Sequence, residues 1–479
     1  MKIERILIED QMAPIGLDQT IPVFSWILTA DEGEQNLLQS ACRIVVQDQK
    51  NTVWDSKIME TDVSTGIAYQ GEELKPCTKY LVKAEVWNNQ GGKAEAETTF
   101  ETGFLASSIE AWEKAQWIGA PHATVCAENR GVFTIESEFR IAGGKGEAGL
   151  VFGANDFRLS DHTKNEFGIE GENYIRYTVC LKDGQARLKI YRVGYAPGDD
   201  AAKPFADVEL IGFEEEKQKM VTPENADDFH KLTVKVEGNT AFAYVDDILV
   251  DAVEEHGFFG TRTAGRQLNP RGKNDVLPYP RLNEIGFYAG DGTKGYFRGL
   301  CVRNVRQPSA EIIRETPKGR LDGGKSIFAE KLPVENGCFC AENCQVTADP
   351  SHHSIPMLRT VFSVNREKTL AAARLYITAR GIYDCRINGR EITENLLRPG
   401  LTQYDHRMNY QTYDITDLVQ SGENGIGVTL ASGWWSEAQT FVVKNFNYFG
   451  DKESLLAKLV LTYTDGSREI VGTNTEKWK

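Results

Sequence analysis

Long apolar runs are missing from this 479-residue chain. None approaches the roughly 18 consecutive residues that cross a bilayer as a helix, so no membrane partner is expected. The first residues, MKIERILIEDQMAPIGLDQ, follow their charges with no apolar h-region of a secretory signal, which points to a cytoplasmic chain. Cysteine is sparse and odd in number: nine residues, at positions 42, 77, 126, 180, 301, 338, 340, 344 and 385, scattered through predicted strands. That pattern reads as free thiols rather than a disulfide framework. Positive charge is also short. Against 69 Asp and Glu stand 54 Lys and Arg, a net charge of −15, which argues against nucleic acid because phosphate binding needs clustered cations. The chain has no sustained 3.6-residue period, no G-x-S-x-G elbow, no G-x4-G-K-[ST] loop and no H-E-x-x-H, so it offers no motif for a nucleophilic hydrolase, a nucleotide site or a zincin.

What the chain has is short alternating strands and turn residues. Its length suggests three or four domains at about 100 to 200 residues each. Residues 1–105 hold PVFSWIL, an alternating Ala41 to Val46, and YLVKAEVW before Asn88-Asn89-Gln90-Gly91-Gly92, the pattern of a small all-β sandwich. Alternation points Trp26, Trp54 and Trp87 inward as core rather than outward as a sugar platform. A helical turn is expected only at Ser107 to Lys114, capped by Ser107 or Ser108. From about Arg130 to Arg306 eight further strands are expected, with long loops at 195–206 and 258–280 of the kind that carry function or move. The stretch from Ala373 to Trp435 gives strands around Leu375-Ile377-Ala379 and Tyr383-Cys385-Ile387, closed by the hairpin dipeptide Asn388-Gly389.

In order and spacing, RGIYDCRINGREI, LRPGLTQYDHRMNYQTYDIT and GENGIGVTLASGWW resemble the N-terminal, galactose-binding-like sandwich of bacterial α-L-rhamnosidases of glycoside hydrolase family 78. IGLDQTIPVFSW, VWDSKI, LKPCTKYLVKAEVW and TTFETGF are similar to the fibronectin type III-like domain that opens many of them. In the family, Gln116-Trp117-Ile118-Gly119 leads straight into the sandwich, whereas here the continuation at Pro356 to Phe362 lies over two hundred residues later. The resemblance therefore implies an all-β chain of three sandwiches: 1–105; an interrupted sandwich of 106–129 plus 307–479; and an inserted domain, 130–306. The insert resembles a concanavalin-like jelly roll and is of a kind that can bind carbohydrate.

In the resembling enzymes a linker sandwich and a helical (α/α)6 barrel with the general acid and base follow this point, so the resemblance implies an accessory region without its catalytic barrel. The intact enzyme would release terminal α-L-rhamnose from glycans by inversion, with a rhamnose-containing glycan and that barrel as partners. A stand-alone carbohydrate-binding protein, a scaffold, or part of another exo-glycosidase such as a β-galactosidase are the rival readings.

Glycoside hydrolysis needs two carboxyl groups about 5 to 9.5 Å apart. Asp246-Asp247, Asp414 with Asp417, and Glu214-Glu215-Glu216 qualify by residue type alone. Strand neighbours face opposite ways, which separates Asp246 from Asp247, and Asp414 and Asp417 fit turn caps, so no catalytic residue is expected. Cys338, Cys340, Cys344, His352 and His353 lack paired zinc-knuckle spacing, and no metal is assigned to them. A sugar needs an aromatic ring against its apolar face and planar polar groups on its hydroxyls. Asn155, Asp156 and Arg158 follow one predicted strand, and Asn173, Tyr174 and Arg176 begin the next. Either these sets meet at one rim as a sugar site, with Asp156 open to calcium, or Asn-Asp builds a turn that Arg pairs with. Calcium is the one cofactor this brings into view. Of the adjacent Trp434 and Trp435, one is expected in the core, and the other, with Tyr404 and Tyr448, at a surface that docks the catalytic barrel.

Overall fold

The computed structural model describes residues 1–48, 51–119, 122, 125–161, 171–213, 218–258, 260–352, 355–436 and 448–479. The chain is all-β: its strands are antiparallel throughout, and its helical elements are single 3-10 turns among the described residues. The Glu214–Glu216 run lies outside the described residues. So does His353.

Alternating burial makes the amino-terminal sandwich. Lys2–Ile8 pairs with Val23–Thr29, and opposite them Thr52–Asp55, Gln39–Gln47, Lys79–Asn88 and Lys93–Glu101 lie in that order. Phe24 sits in the core between Trp54 and Phe100, at ring distances of 5.8 and 6.3 Å. Trp26 is also buried, its indole N–H donating to Gln39 at 2.9 Å. Trp87 departs from the expectation. The in-pointing position is its neighbour Val86, and Trp87 lies half-buried on the other face under Lys93.

The central body is the jelly roll, and one long strand joins its two layers. Glu284–Phe297 pairs through its first half with Gly146–Ala154 and through its second with Val132–Ile141, with a register slip between Ala289 and Lys294. Beyond the first half run Tyr174–Lys182, Gln185–Val193 and Ala206–Glu209; beyond the second, His230–Glu237, Thr240–Val245 and Ile248–Asp251. Both layers bury one apolar face in a shared core that includes Phe133, Phe152, Tyr177, Val234 and Phe287. Two positions in this sheet admit no side chain. A Cβ at Gly149 would stand 2.0 Å from the Tyr177 carbonyl oxygen, and one at Gly286 1.8 Å from that of Val346. Because the obstacle is backbone of a neighbouring strand, Gly286→Ala is expected to cost more than about 2 kcal/mol, read as a shift in the urea midpoint.

The jelly roll extends beyond the bounds read from the sequence. Val125, Ala127, Ile312, Phe328, Phe339 and Ala348 belong to its core, and Cys338–Ala348 runs along Glu284–Phe297. Residues 307–348 therefore stand with the insert, not with the interrupted sandwich. Asp246-Asp247 is likewise not on a strand: both residues have positive φ (51° and 66°) and form the turn between Thr240–Val245 and Ile248–Asp251. Asp246 there accepts from His230 Nδ1 and from the Lys231 N–H, at 2.8 Å each.

The third body closes the chain. One sheet orders Met357–Val364, Gly422–Ala431, Ile382–Ile387 and Arg390–Glu391; the other orders Gln411–Asp414, Leu370–Arg380, Ser454–Tyr463 and Arg468–Gly472. Ile118–Gly119 adds to Ser454–Tyr463, so the segment before the insert does rejoin this sandwich, and Ile118 packs in its core. The hairpin at Asn388-Gly389 has φ of 51° and 80°, the left-handed pair that a two-residue turn requires. Asp414 caps its turn through the Thr416 N–H at 3.0 Å.

The bodies meet through specific contacts. Glu101 takes both ends of the Arg374 guanidinium at 2.6 Å. Phe104 stacks on Tyr376 and Tyr410, each at 4.7 Å, beside the 3-10 turn Ile109–Trp112, whose N-cap Ser108 makes no side-chain cap bond. Asn304 of the jelly roll donates to Asp451 at 2.7 Å. Asp451 is 5% exposed with one carboxylate oxygen unpartnered, and burial raises its pKa above the ordinary 3.8. Its protonated form is thus favoured in the folded chain, and stability present below pH 3.8 is lost as pH rises through the raised value. Asp451→Asn should keep the Asn304 bond and stabilise the chain at pH 7. The gain should disappear below pH 3.8, as measured by thermal unfolding at both pH values.

Candidate carbohydrate-binding face

The two predicted residue sets do meet, but they divide between two environments. Asn173 accepts the Asp156 N–H at 2.7 Å, and Asn155, exposed at φ 58°, donates its N–H to the Asn173 carbonyl at 3.0 Å. Asp156 then turns inward, 1% exposed, and spends its carboxylate on Arg158: on the backbone N–H at 3.0 Å, on Nε at 2.8 and 3.1 Å, and on Nη2. Arg158 also donates to the Pro278 carbonyl and lies 4.3 Å from the Tyr279 ring. This is a buried structural knot. Both Asp156 carboxylate oxygens are engaged by Arg158, so the counter-cation here is a guanidinium.

Tyr174 and Arg176 sit elsewhere. Alternation places them on the outer face of the sheet, away from the core that takes Ile175 and Tyr177. Register builds that face row by row. One row runs Tyr191, Arg176, Val151, Gly286, Thr347; the next runs Lys189, Thr178, Gly149, Tyr288, Gln345. Arg176 lies on this face 3.8 Å from the Tyr288 ring centre, 4.1 Å from Tyr191 and 5.5 Å from Tyr174. Its Nη atoms donate to Gln345 at 3.3 Å and to the Ala201 carbonyl at 3.2 Å, while Nε is buried without a partner. Beside it Glu147 accepts from Thr178 at 2.7 Å and pairs with Lys189 at 3.3 Å. Burial raises the phenols of Tyr174, Tyr191 and Tyr288, so all three stay protonated donors at neutral pH.

The 195–206 segment bounds this face and is pinned. Asp199 takes Arg192 at 3.0 Å and caps Ala196 at 2.8 Å, and the Tyr195 hydroxyl donates to Gly153 at 2.7 Å. Sequence reading missed Tyr191, Tyr288, Glu147, Lys189 and Gln345. Alternation within KIYRV signals Lys189 and Tyr191 as one face, but nothing local shows that Tyr288 lies two strands away from Arg176.

Neither Trp434 nor Trp435 enters the sandwich core; both are half-buried. Trp435 packs with Tyr404 (5.7 Å) and Phe449 (6.2 Å), Tyr448 joins through Phe449 (4.8 Å), and Tyr448 remains 44% exposed. Among the described residues no three His, Cys, Asp or Glu side chains converge as metal ligands. All nine cysteines are unbridged.

Residues 3–106 match the family model for the Rha78A-like N-terminal immunoglobulin domain, and residues 368–479 match that for the α-L-rhamnosidase N-terminal domain. Both models describe domains found at the amino terminus of α-L-rhamnosidases. An α-L-rhamnosidase of Streptomyces avermitilis is 27% identical over 483 residues, covering 98% of this chain and 40% of that protein. One from Formosa agariphila is 40% identical over 129 residues, 26% of this chain and 13% of its own length. The solved structure of the Streptomyces avermitilis enzyme complexed with L-rhamnose superposes on 100% of this chain and 41% of that one, with 20% identity and a TM-score of 0.52. The chain thus spans about two fifths of the length of that relative, and the likeness in fold covers all three sandwiches.

Proposed function

We propose that this chain is the non-catalytic amino-terminal region of an α-L-rhamnosidase and that the outer face of its jelly roll binds rhamnose-containing glycan. The single observation carrying the binding role is the outer-face set of partly exposed Tyr288, Glu147 and Lys189 beside Arg176 and Tyr191, which are themselves only 5% exposed. Aromatic rings supply flat apolar surface for a deoxy sugar, and the charged groups supply directed bonds to its hydroxyls. The non-catalytic role is supported by how the flagged carboxylates are spent: Asp246 on His230, Asp247 on Lys231, Asp414 on Arg374 and its own turn. The aromatic cluster of Tyr404, Trp435, Phe449 and Tyr448 is the surface on which a catalytic domain would rest. Affinity electrophoresis through a gel holding a rhamnose-terminated polysaccharide, with an aryl α-L-rhamnoside assay alongside, tests the reading. Retardation without release of rhamnose is expected, and free migration would overturn the binding role.

A further inference from the structure

A second site lies away from the jelly roll. Where the linker after the amino-terminal sandwich crosses the third body, a cleft of about 690 Å³ opens between residues 104–117 and 406–411, a size and domain-boundary position typical of ligand sites. Its apolar wall is aromatic: Trp112, Trp117 and Tyr410 line it. Its polar rim carries Asp18, His406 and Arg407, all exposed toward solvent, with Arg407 in no ion pair among the described residues. The motifs QWIG and DHRMNYQ, singled out in the sequence, supply both sides.

Adjoining the cleft, against Trp117 of its lining, is an arginine whose surroundings differ from those of Arg158, Arg192, Arg266 and Arg374. Arg380 lies on the same strand face as Thr378, which lines the cleft, with its guanidinium 4.6 Å from the Trp117 ring and 5.2 Å from Trp435. Arg158, Arg192, Arg266 and Arg374 each hold a carboxylate. Arg380 makes no hydrogen bond or ion pair among the described residues, and its Nε is buried without a partner. Directly opposite across the strand pair, on the same face, Ser454 Oγ is also buried and unpartnered. A half-buried cation with no counter-charge, flanked by two indoles, fits an anionic group attached to a ring that can lie on tryptophan.

We propose that this cleft binds a carboxylated sugar, a uronic acid residue of a glycan, whose carboxylate pairs with Arg380 and whose ring packs on Trp117. The inference rests on the glycan-binding reading of the chain but uses other residues, so the two fail separately. The test is calorimetric titration of the full chain and of its Arg380→Gln and Arg176→Met variants with glucuronate, glucose and acetate. Glucuronate should bind the parent chain and Arg176→Met alike, bind Arg380→Gln at least about tenfold more weakly, and outbind glucose and acetate by a similar factor. Because Arg380 has no hydrogen-bond or ion-pair partner to lose among the described residues, only its contacts with the Trp117 and Trp435 rings, Arg380→Gln should lower the unfolding temperature little; a marked drop would make Arg380 a structural residue and overturn the proposal. Equal binding to Arg380→Gln, or no binding of glucuronate, would also overturn it. Acetate matching glucuronate would overturn the sugar and leave only a carboxylate site of the kind an acidic side chain fills.

Discussion

Asp156→Ala should destabilise the jelly roll by about 3 to 5 kcal/mol, the usual consequence of removing one partner from a buried ion pair. Arg158 would remain 5% exposed with its charge uncompensated, its backbone N–H and Nε both losing their acceptor. The Asp156 carboxylate also closes the 3-10 turn Phe157–Leu159 that leads out of the strand, so the turn loses its cap together with the ion pair. Asp156→Ala combined with Arg158→Met should recover most of the loss, because a buried pair replaced by apolar groups costs far less than a broken one. Denaturant unfolding of both variants, with and without calcium, checks this. A loss under about 1 kcal/mol, or a stabilisation of the parent by calcium that Asp156→Ala lacks, would return Asp156 to the role of a metal ligand.

The second large effect is expected between domains. Arg374→Met removes a guanidinium that joins Glu101, at the end of the amino-terminal sandwich, to the Leu370–Arg380 strand, both side chains being little exposed (11% and 13%). Glu101 would then sit at a domain junction with no cation, a loss of about 2 to 4 kcal/mol after discounting for partial exposure; the contribution of half-exposed Asp414 is small. Aromatic packing of Phe104 on Tyr376 and Tyr410 remains, so the domains should stay folded but uncouple. Calorimetry should show the amino-terminal sandwich melting earlier, as a transition separate from the rest. An unchanged thermogram would mean that the aromatic contacts alone fix the junction.

These expectations differ in how far the sequence could reach them. Strand positions and the Asn388-Gly389 turn were legible because period-two alternation and positive-φ residues are local signals. The insertion was legible because Gln116-Trp117-Ile118-Gly119 and its continuation at Pro356 to Phe362 are far apart in the chain; both join the third body, Ile118–Gly119 in one sheet and Met357–Val364 in the other. The insert's far boundary was not: Cys338–Ala348 alternates like any strand, and only pairing with Glu284–Phe297 assigns it to the jelly roll. The predicted sugar residues show the same limit. For Asp156 and Arg158 the sequence offered a sugar rim or an Asn-Asp turn that Arg pairs with, and the structure has the pair, buried because the chain turns inward there. Tyr174 and Arg176 were recognisable as one face, while their partners Tyr191 and Tyr288 come from different strands brought together by register. Trp87 and Val86 show how one position of register decides core against surface.

The account rests on the Arg176 face holding rhamnose-containing glycan without cutting it. Calorimetric titration of a rhamnose-terminated oligosaccharide into the parent chain and into Arg176→Met, followed by analysis of the cell contents, tests that directly. The account predicts saturable heat in the parent, at least about tenfold weaker binding in Arg176→Met measured at a temperature where both proteins are folded, and intact oligosaccharide in both. Equal heats in the two proteins, or free rhamnose in the parent cell, would contradict it.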